Sequence, residues 1–331
     1  MKYIKLGKTD IEISKLGLET WAIGAGSAWD AEVDVEKSVA TIVEAVNSGV
    51  NLIDTAPGYN FGESEKIVGK ALGKVNREKV CLITKCGIVW ERKGALFNKV
   101  GDRQLYKLLT PESIRLEIES SLKRLKTDYI DVYMTHWQAV EPYYTPISEV
   151  VEELTKLKKE GKIKAIGAAN VNADQVREYL DAGELDIVQA KYNILDRSVE
   201  KDILPLCLEN KVTLQAYSPL EQGLLTGLFE KDYKATGARA NKYWWQKENI
   251  GYVVDMLEKW KPLTEKYNCT IPTLALEWII NQNDNINLLM GATTPEEVKE
   301  NVLAGELDIS KEDINYISKL ADDIYELANN K

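Results

Sequence analysis

Eight short apolar runs rich in β-branched residues recur along the chain: KLGLETWA (15–22), VNLIDTA (50–56), VCLITKC (80–86), YIDVYMTH (129–136), IKAIGAAN (163–170), LDIVQAKY (185–192), VTLQAYS (212–218) and INLLMGA (286–292). Near-continuous apolar runs of this length are the pattern of strands covered on both faces, and the longer stretches between them have helical spacing. Strand and helix in alternation predict βα units around a parallel sheet. TPES at 110–113 and TPEE at 294–297 mark helix starts, with TPIS at 145–148 a third, and Gly73, Gly161, Gly183 and Gly305 stand where helices should end.

Eight strands and eight helices, with no linker rich in Pro, Gly or Ser, predict one (β/α)8 TIM barrel domain over residues 1–331. The start of the chain, KYIKL-GKTD-IEIS, predicts a small hairpin outside that count. Two long stretches, roughly 88–110 and 220–250, break the rhythm and are expected to be irregular functional loops at the C-terminal mouth. There is no G-x-G-x-x-G, since GAGSAW at 24–29 lacks the third glycine, and no G-x-x-x-x-G-K-[ST]. A Rossmann fingerprint and a P-loop are therefore unsupported.

Composition narrows the function without choosing it. With 28% charged and 44% hydrophobic residues, the chain has the balance of an ordinary globule, and its net charge of -10 argues against a nucleic-acid partner. No apolar h-region opens the sequence and no run of 18 apolar residues occurs, so neither secretion nor a membrane span is expected, and a cytoplasmic location is. The four cysteines (Cys81, Cys86, Cys207, Cys269) form no CxxC pair and there is one histidine, so no metal site is expected and the thiols should be reduced. The sequon at Asn268 carries no meaning in that compartment, and no obligate protein partner is evident.

In such a barrel the C-terminal strand ends converge on one mouth. There stand Asp54, then Tyr59 in the following loop, Lys85, His136 (the single histidine), Asn170, Gln189, Tyr217 and Ser218. An Asp, a Tyr, a Lys and a His together form an acid–base device. The ammonium should lower the phenol's pKa while the carboxylate holds the ammonium, and a neutral or protonated imidazole can donate to a developing alkoxide. This suits protonation of a carbonyl oxygen as hydride reaches its carbon, and hydride requires a cofactor.

At these residues the sequence resembles the aldo-keto reductase family over nearly the whole chain. NLIDTAPGYNFGESEKIVGKAL and LKRLKTDYIDVYMTHW carry the resemblance first; GKIKAIGAAN, VQAKYN, AYSPLEQGLLTG and GATTPEEVKEN follow in the family's order. TKCGIVWERKG, FNKVGDRQLYK and GARANK resemble bacterial members that reduce methylglyoxal with NADH. The resemblance implies a catalytic tetrad of Asp54, Tyr59, Lys85 and His136, with Tyr59 the proton donor. It also implies an NAD(P)H site: Asn170 and Gln189 on the carboxamide, Tyr217 stacked on the nicotinamide, and Thr20, Trp21 and Asp54 nearby. Ser218, Leu220, Gly223, Leu225 and Arg239 would follow the pyrophosphate, Arg239 being otherwise a solvated loop charge. Gly291, Thr293, Glu297 and Asn301 complete the implied cofactor set.

NADPH-using relatives usually have a Lys and an Arg where this chain reads Gly291 and Glu297. A carboxylate repels a 2′-phosphate and accepts from a ribose hydroxyl, so NADH is expected over NADPH; alternatively Glu297 simply caps its helix. Relatives usually have Gly at Glu19, whose side chain should either crowd the nicotinamide side or swing away. Six of the eight tryptophans fall in strand-end or loop segments. Trp21, Trp90 and Trp137, with Tyr59 and His136, are expected around a small carbonyl substrate, while Trp29 and Trp244 can equally staple the insertions. Arg92, Lys93, Lys99 and Arg103 leave a phosphorylated substrate open. The expected reaction is reduction of a small aldehyde or ketone of the methylglyoxal or lactaldehyde type. The alternatives are an NAD-dependent sugar or polyol dehydrogenase on the same tetrad and a non-enzymatic nucleotide-sensing subunit.

Overall fold

A computed structural model describes residues 1–24 and 33–329. Trp29 and most of GAGSAW lie outside the described residues. The chain opens with an antiparallel hairpin of β1 (Tyr3–Lys5) and β2 (Glu12–Ser14). Eight parallel strands then close into a barrel: β3 (Leu16–Glu19), β4 (Leu52–Asp54), β5 (Cys81–Cys86), β9 (Ile130–Thr135), β10 (Ile163–Ala169), β11 (Ile187–Lys191), β12 (Thr213–Tyr217) and β13 (Ile286–Gly291). These are the eight runs of the sequence, each paired with its neighbour in chain order and β13 with β3. Between β5 and β9 the chain adds β6 (Ile88–Val89), β7 (Ala95–Val100) and β8 (Arg103–Lys107), an antiparallel three-stranded sheet. The expectation of an irregular loop at 88–110 is thus corrected: backbone pairing orders it.

Helices α1 (Val35–Asn47), α2 (Glu63–Leu72), α3 (Pro111–Leu125), α4 (Ile147–Lys159), α5 (Ala173–Ala182) and α6 (Ile203–Asn210) each follow a barrel strand. Between β12 and β13 come α7 (Ile250–Glu258), α8 (Lys261–Tyr267) and α9 (Ile271–Ile280); α10 (Pro295–Asn301) and α11 (Lys311–Asn329) end the chain. The described helices therefore exceed the expected eight, because the second insertion and the C-terminal segment form their own. Thr110 and Thr294 cap α3 and α10 through their hydroxyls, with Pro next, as the sequence indicated. TPIS does not repeat the device: Pro146 is the cap of α4 and gives no side-chain bond.

The core is divided by the sheet. The large cluster lies between strands and helices, while a smaller one fills the barrel, where Leu52, Ile83, Val132, Ile187 and Leu289 meet Leu6 and Ile13 of the hairpin. The hairpin thus plugs the N-terminal end, fastened where Gly7 N donates to Thr213 Oγ1 at 2.8 Å. Burying side chains of this size stabilises by about 1.5–3 kcal/mol each, so the plug holds the N-terminal end shut and the other end is left to carry polar groups.

Candidate active site

At the C-terminal end the strands deliver polar side chains into a cavity of about 320 Å³. Lys85, fully buried, is the next-to-last residue of β5, and Asp54 ends β4. The Lys85 ammonium donates to Asp54 Oδ1 at 2.6 Å, to Thr55 O at 3.0 Å and to Tyr59 Oη at 3.1 Å. Three donors meet three acceptors. The phenol oxygen is therefore an acceptor towards Lys85, and its own hydrogen is left for the cavity it lines. His136, directly after β9, stands edge-on to Tyr59 with ring centroids 5.7 Å apart. Its Nδ1 is buried without a hydrogen-bond partner.

The electrostatics correct one expectation. Burial first, then the charges of Asp54, Glu19 and Tyr217, push the Tyr59 phenol well above its ordinary value. The resting group is a neutral phenol; the nearby ammonium does not acidify it in advance because desolvation of the phenolate outweighs it. Burial, then the Lys85 charge, holds His136 well below the usual histidine value, which selects the neutral imidazole. Burial raises the Asp54 carboxyl, against the charge and hydrogen bond of Lys85 and the hydrogen bond of Gln189.

One cavity wall carries Asn170, Gln189, Tyr217 and Ser218. Asn170 Nδ2 donates to His136 O at 2.9 Å and its Oδ1 accepts from Tyr217 Oη at 2.8 Å. Gln189 Nε2 reaches Asp54 Oδ2 at 2.9 Å and Gln215 Oε1 at 2.7 Å. Asn170 and Ser218 have left-handed backbones, φ 55° and 52°, a strained geometry that clusters at functional sites. Two fixed amides beside a phenol ring form a donor and acceptor set suited to a flat ring bearing a carboxamide.

Beyond Ser218 the second insertion is bound down. Glu221 takes Lys191 at 2.8 Å and Asn193 at 2.8 Å, and Trp244 and Trp245 donate to Leu195 O and Glu221 O. Trp244 and Trp245 are thus buried staples. Arg239 is packed rather than solvated: its guanidinium lies 4.9 Å from the Trp245 ring, and Nε donates to Gln222 O at 2.8 Å. Gly223, at φ 98°, leaves room for it, since a Cβ there would stand 3.2 Å from Arg239 Nη2. Leu220 closes this loop by accepting from Gly223 N and Leu225 N. Leu225 is fully buried and its N–H is bonded to Leu220 O.

Thr20 directly follows β3. It is fully buried, its hydroxyl bonded to Asp54 O and Ser64 Oγ, and so it braces the strand end from beneath. At the far edge, Asn301 Nδ2 donates to Gly291 O at 3.1 Å and Glu297 Oε2 accepts from Thr293 N at 2.7 Å. All four residues assigned there come together. Glu297 does act in capping, but towards Thr293, one residue before the cap nitrogen expected.

Trp21 and Trp137 line the cavity; Trp90 does not, because its ring packs edge-on against Phe61, which does. Arg103 lies over the Phe61 ring at 4.2 Å and Arg92 bonds Ser113, and none of the four first-insertion cations lines the cavity. Sequence reading missed Phe61, from the loop after β4, and Phe97, Val100, Leu105 and Lys242, which complete the wall from the two insertions. Glu19 does not swing away: it lines the cavity, and burial, then Asp54, raise its carboxyl to about 7 against the pull of Lys85. Among the described residues no cluster of His, Cys, Asp and Glu is arranged to hold a metal, and no helix is long and apolar enough to cross a membrane.

A family model described as the aldo/keto reductase family matches residues 15–322. The chain is 62% identical over 322 residues to the NADH-specific methylglyoxal reductase of Escherichia coli (strain K12), covering 97% of this chain and 99% of that one. It is 36% identical over 303 residues to aldo-keto reductase YhdN of Bacillus subtilis (strain 168), covering 90% and 87%. Among solved structures, the glycerol dehydrogenase of Gluconobacter oxydans superposes with a TM-score of 0.85 at 33% identity, covering 97% and 94%.

Proposed function

The chain belongs to the aldo/keto reductase family, an NAD(P)-dependent oxidoreductase, and we propose that it reduces a small, neutral carbonyl of the methylglyoxal type to the alcohol with NADH preferred. The single observation that carries the chemistry is the three-way donation of Lys85 to Asp54, Thr55 and Tyr59, which leaves the phenol proton facing the cavity.

When bound, the reduced nicotinamide supplies hydride to the carbonyl carbon. Tyr59 gives its proton to the carbonyl oxygen, and the Lys85 ammonium, 3.1 Å away, stabilises the phenolate left behind. Asp54 keeps that ammonium charged inside the protein. The neutral His136 donates its N–H to the same oxygen and fixes the carbonyl's orientation. Trp21, Trp137, Phe61 and Phe97 exclude water and leave room for a small substrate. The absence of an Arg or Lys cluster on the described wall, Lys242 being its exposed cation, supports a neutral carbonyl over a phosphorylated one.

The residues present fit the dinucleotide. Tyr217, Asn170 and Gln189 would hold the nicotinamide, and Ser218, Leu220, Gly223 and Arg239 the pyrophosphate. Gly291, Thr293, Glu297 and Asn301 would hold the adenosine end. Glu297 stands fixed and exposed there, and no cation accompanies it at position 291, which supports NADH. The likeness to a glycerol dehydrogenase favours a second reading, alcohol oxidation with NAD+ on the same groups. The 62% identical relative outweighs it.

The test follows absorbance loss of NADH and of NADPH with methylglyoxal, with Tyr59→Phe as control. Rapid loss of NADH, slow loss of NADPH and a drop of about 100- to 10,000-fold in the variant are expected. Oxidation of glycerol-type alcohols with no carbonyl reduction would reverse the assignment.

A further inference from the structure

Strand β3 ends on Glu19, in register with Asp54 of β4 on one side and Gly291 of β13 on the other. The side chain lines the cavity together with Tyr59, Gln189 and Tyr217. Its charge pushes up both the Tyr59 and the Tyr217 phenols, so it stands within electrostatic reach of the proton donor and of the stacking wall alike. The proton-transfer chemistry above makes no use of it. The buried ammonium of the cavity is already committed to Asp54 at 2.6 Å, which leaves Glu19 a carboxyl with a distant counter-charge.

Such a group responds to charge that appears beside it. Reduction of a carbonyl consumes NADH and one proton and yields NAD+ and the alcohol, and the nicotinamide ring passes from neutral to positive. We propose that Glu19 is the electrostatic partner of the oxidised nicotinamide ring, so that binding of NAD+, and not of NADH, expels a proton from this side chain. The proposal rests on the assignment of Tyr217, Asn170 and Gln189 to the nicotinamide.

The balance is simple: Glu19 carboxylic acid and NAD+ give the Glu19 carboxylate, bound NAD+ and a proton released to solvent. The charged and titratable groups facing Glu19 are Asp54 from β4, Lys85 from β5, Tyr217 from β12 and Tyr59 from the loop after β4, with His136 and Lys242 on the same cavity wall. His136 stays neutral and both phenols stay protonated around pH 7. Glu19, raised to about 7, is the member of this set poised to exchange a proton there. Below that pH it is mainly a neutral acid and tolerates either cofactor; above it the carboxylate attracts the cationic ring. A carboxyl whose pKa falls by about one unit on binding makes binding about tenfold tighter on the alkaline side.

Calorimetric titration of the full chain with NAD+ and with NADH, at pH 6.5 in two buffers of different ionisation enthalpy, reads the proton count directly. The wild type should release a substantial fraction of a proton with NAD+ and none with NADH. NAD+ affinity should rise about fivefold from pH 6 to pH 8, as a one-unit fall from about 7 requires, while NADH affinity stays level. In Glu19→Gln both the release and the pH dependence should vanish. No proton release with NAD+ in the wild type, or release that survives in the variant, overturns the role of Glu19 and leaves the cofactor assignment intact. Failure of both dinucleotides to bind overturns that assignment and this proposal together.

Discussion

Gln189 Nε2 donates to Asp54 Oδ2 over 2.9 Å, so a side chain on the cofactor wall is bonded to the carboxylate that holds the Lys85 ammonium. The link does not stop there. Gln189 also reaches Gln215 at 2.7 Å, Gln215 reaches Asn287 at 2.7 Å, and Asn287 Nδ2 ends on Ser14 O at 2.8 Å. A polar ladder thus runs inside the barrel from the mouth towards the hairpin plug. Each rung satisfies a buried amide that would otherwise cost about 1–3 kcal/mol.

Gln189→Met removes one donor from a buried carboxylate. The Gln189 hydrogen bond lowers the Asp54 pKa against burial, so its loss lets that pKa rise further. Asp54 then protonates at higher pH and releases Lys85. The acid limb of the kcat/KM profile should move upward in pH, and Gln215, left without its donor, should make the variant about 1–3 kcal/mol less stable. An unmoved acid limb would mean that Asp54 does not limit activity there.

Cofactor choice can be tested by addition. A Cβ at Gly291 meets nothing within 4 Å, and the residue is exposed, so Gly291→Lys should be accommodated without repacking. Combined with Glu297→Arg it places two cations where this chain has none. The NADPH to NADH ratio of kcat/KM should rise at least tenfold, since charge-assisted hydrogen bonds contribute about 1.5–3 kcal/mol. Glu297→Arg alone loses the bond to Thr293 N and should cost about 1 kcal/mol of stability. An unchanged ratio with stability intact would show that this edge does not meet the 2′ position.

The stability of the chain without cofactor should depend on pH through Glu19. Its folded pKa, about 7, lies above the ordinary 4.5. The folded state therefore binds more protons between those values, and the stability due to this group is present below pH 4.5 and lost as pH rises through 7. Urea unfolding at pH 5 and pH 8 should give a difference larger in the wild type than in Glu19→Gln, on the order of 2–3 kcal/mol. Equal differences in the two proteins would remove the raised pKa from the account.

Gly69→Ala opposes local and tertiary preference. In isolation alanine is about 1 kcal/mol better than glycine inside a helix. Here a Cβ at position 69 in α2 would stand 2.5 Å from Arg124 O and 3.0 Å from the Leu125 backbone at the end of α3. Backbone cannot rotate aside as a side chain does. The variant should be destabilised by about 1–3 kcal/mol, visible as a lower thermal midpoint. A higher midpoint would show that α2 and α3 separate at little cost.

By itself the sequence determined the repeat of strand and helix, because each barrel strand is covered on both faces and is therefore mostly apolar. It also determined the order of polar residues at the strand ends, since Asp54, Lys85 and His136 directly close or follow apolar runs. What it left open involves residues distant in the chain. The ordering of residues 88–107 as a sheet depends on pairing β8 with both β6 and β7, which no local period reveals. Trp90 and Phe97 read alike as aromatics in one insertion, yet Phe97 faces the cavity and Trp90 packs on the outer side of Phe61. The neutral state of Tyr59 and His136 and the raised carboxyl of Glu19 were likewise illegible. They arise from desolvation in a closed mouth and from charges brought together across strands, and both exist only once the barrel has closed.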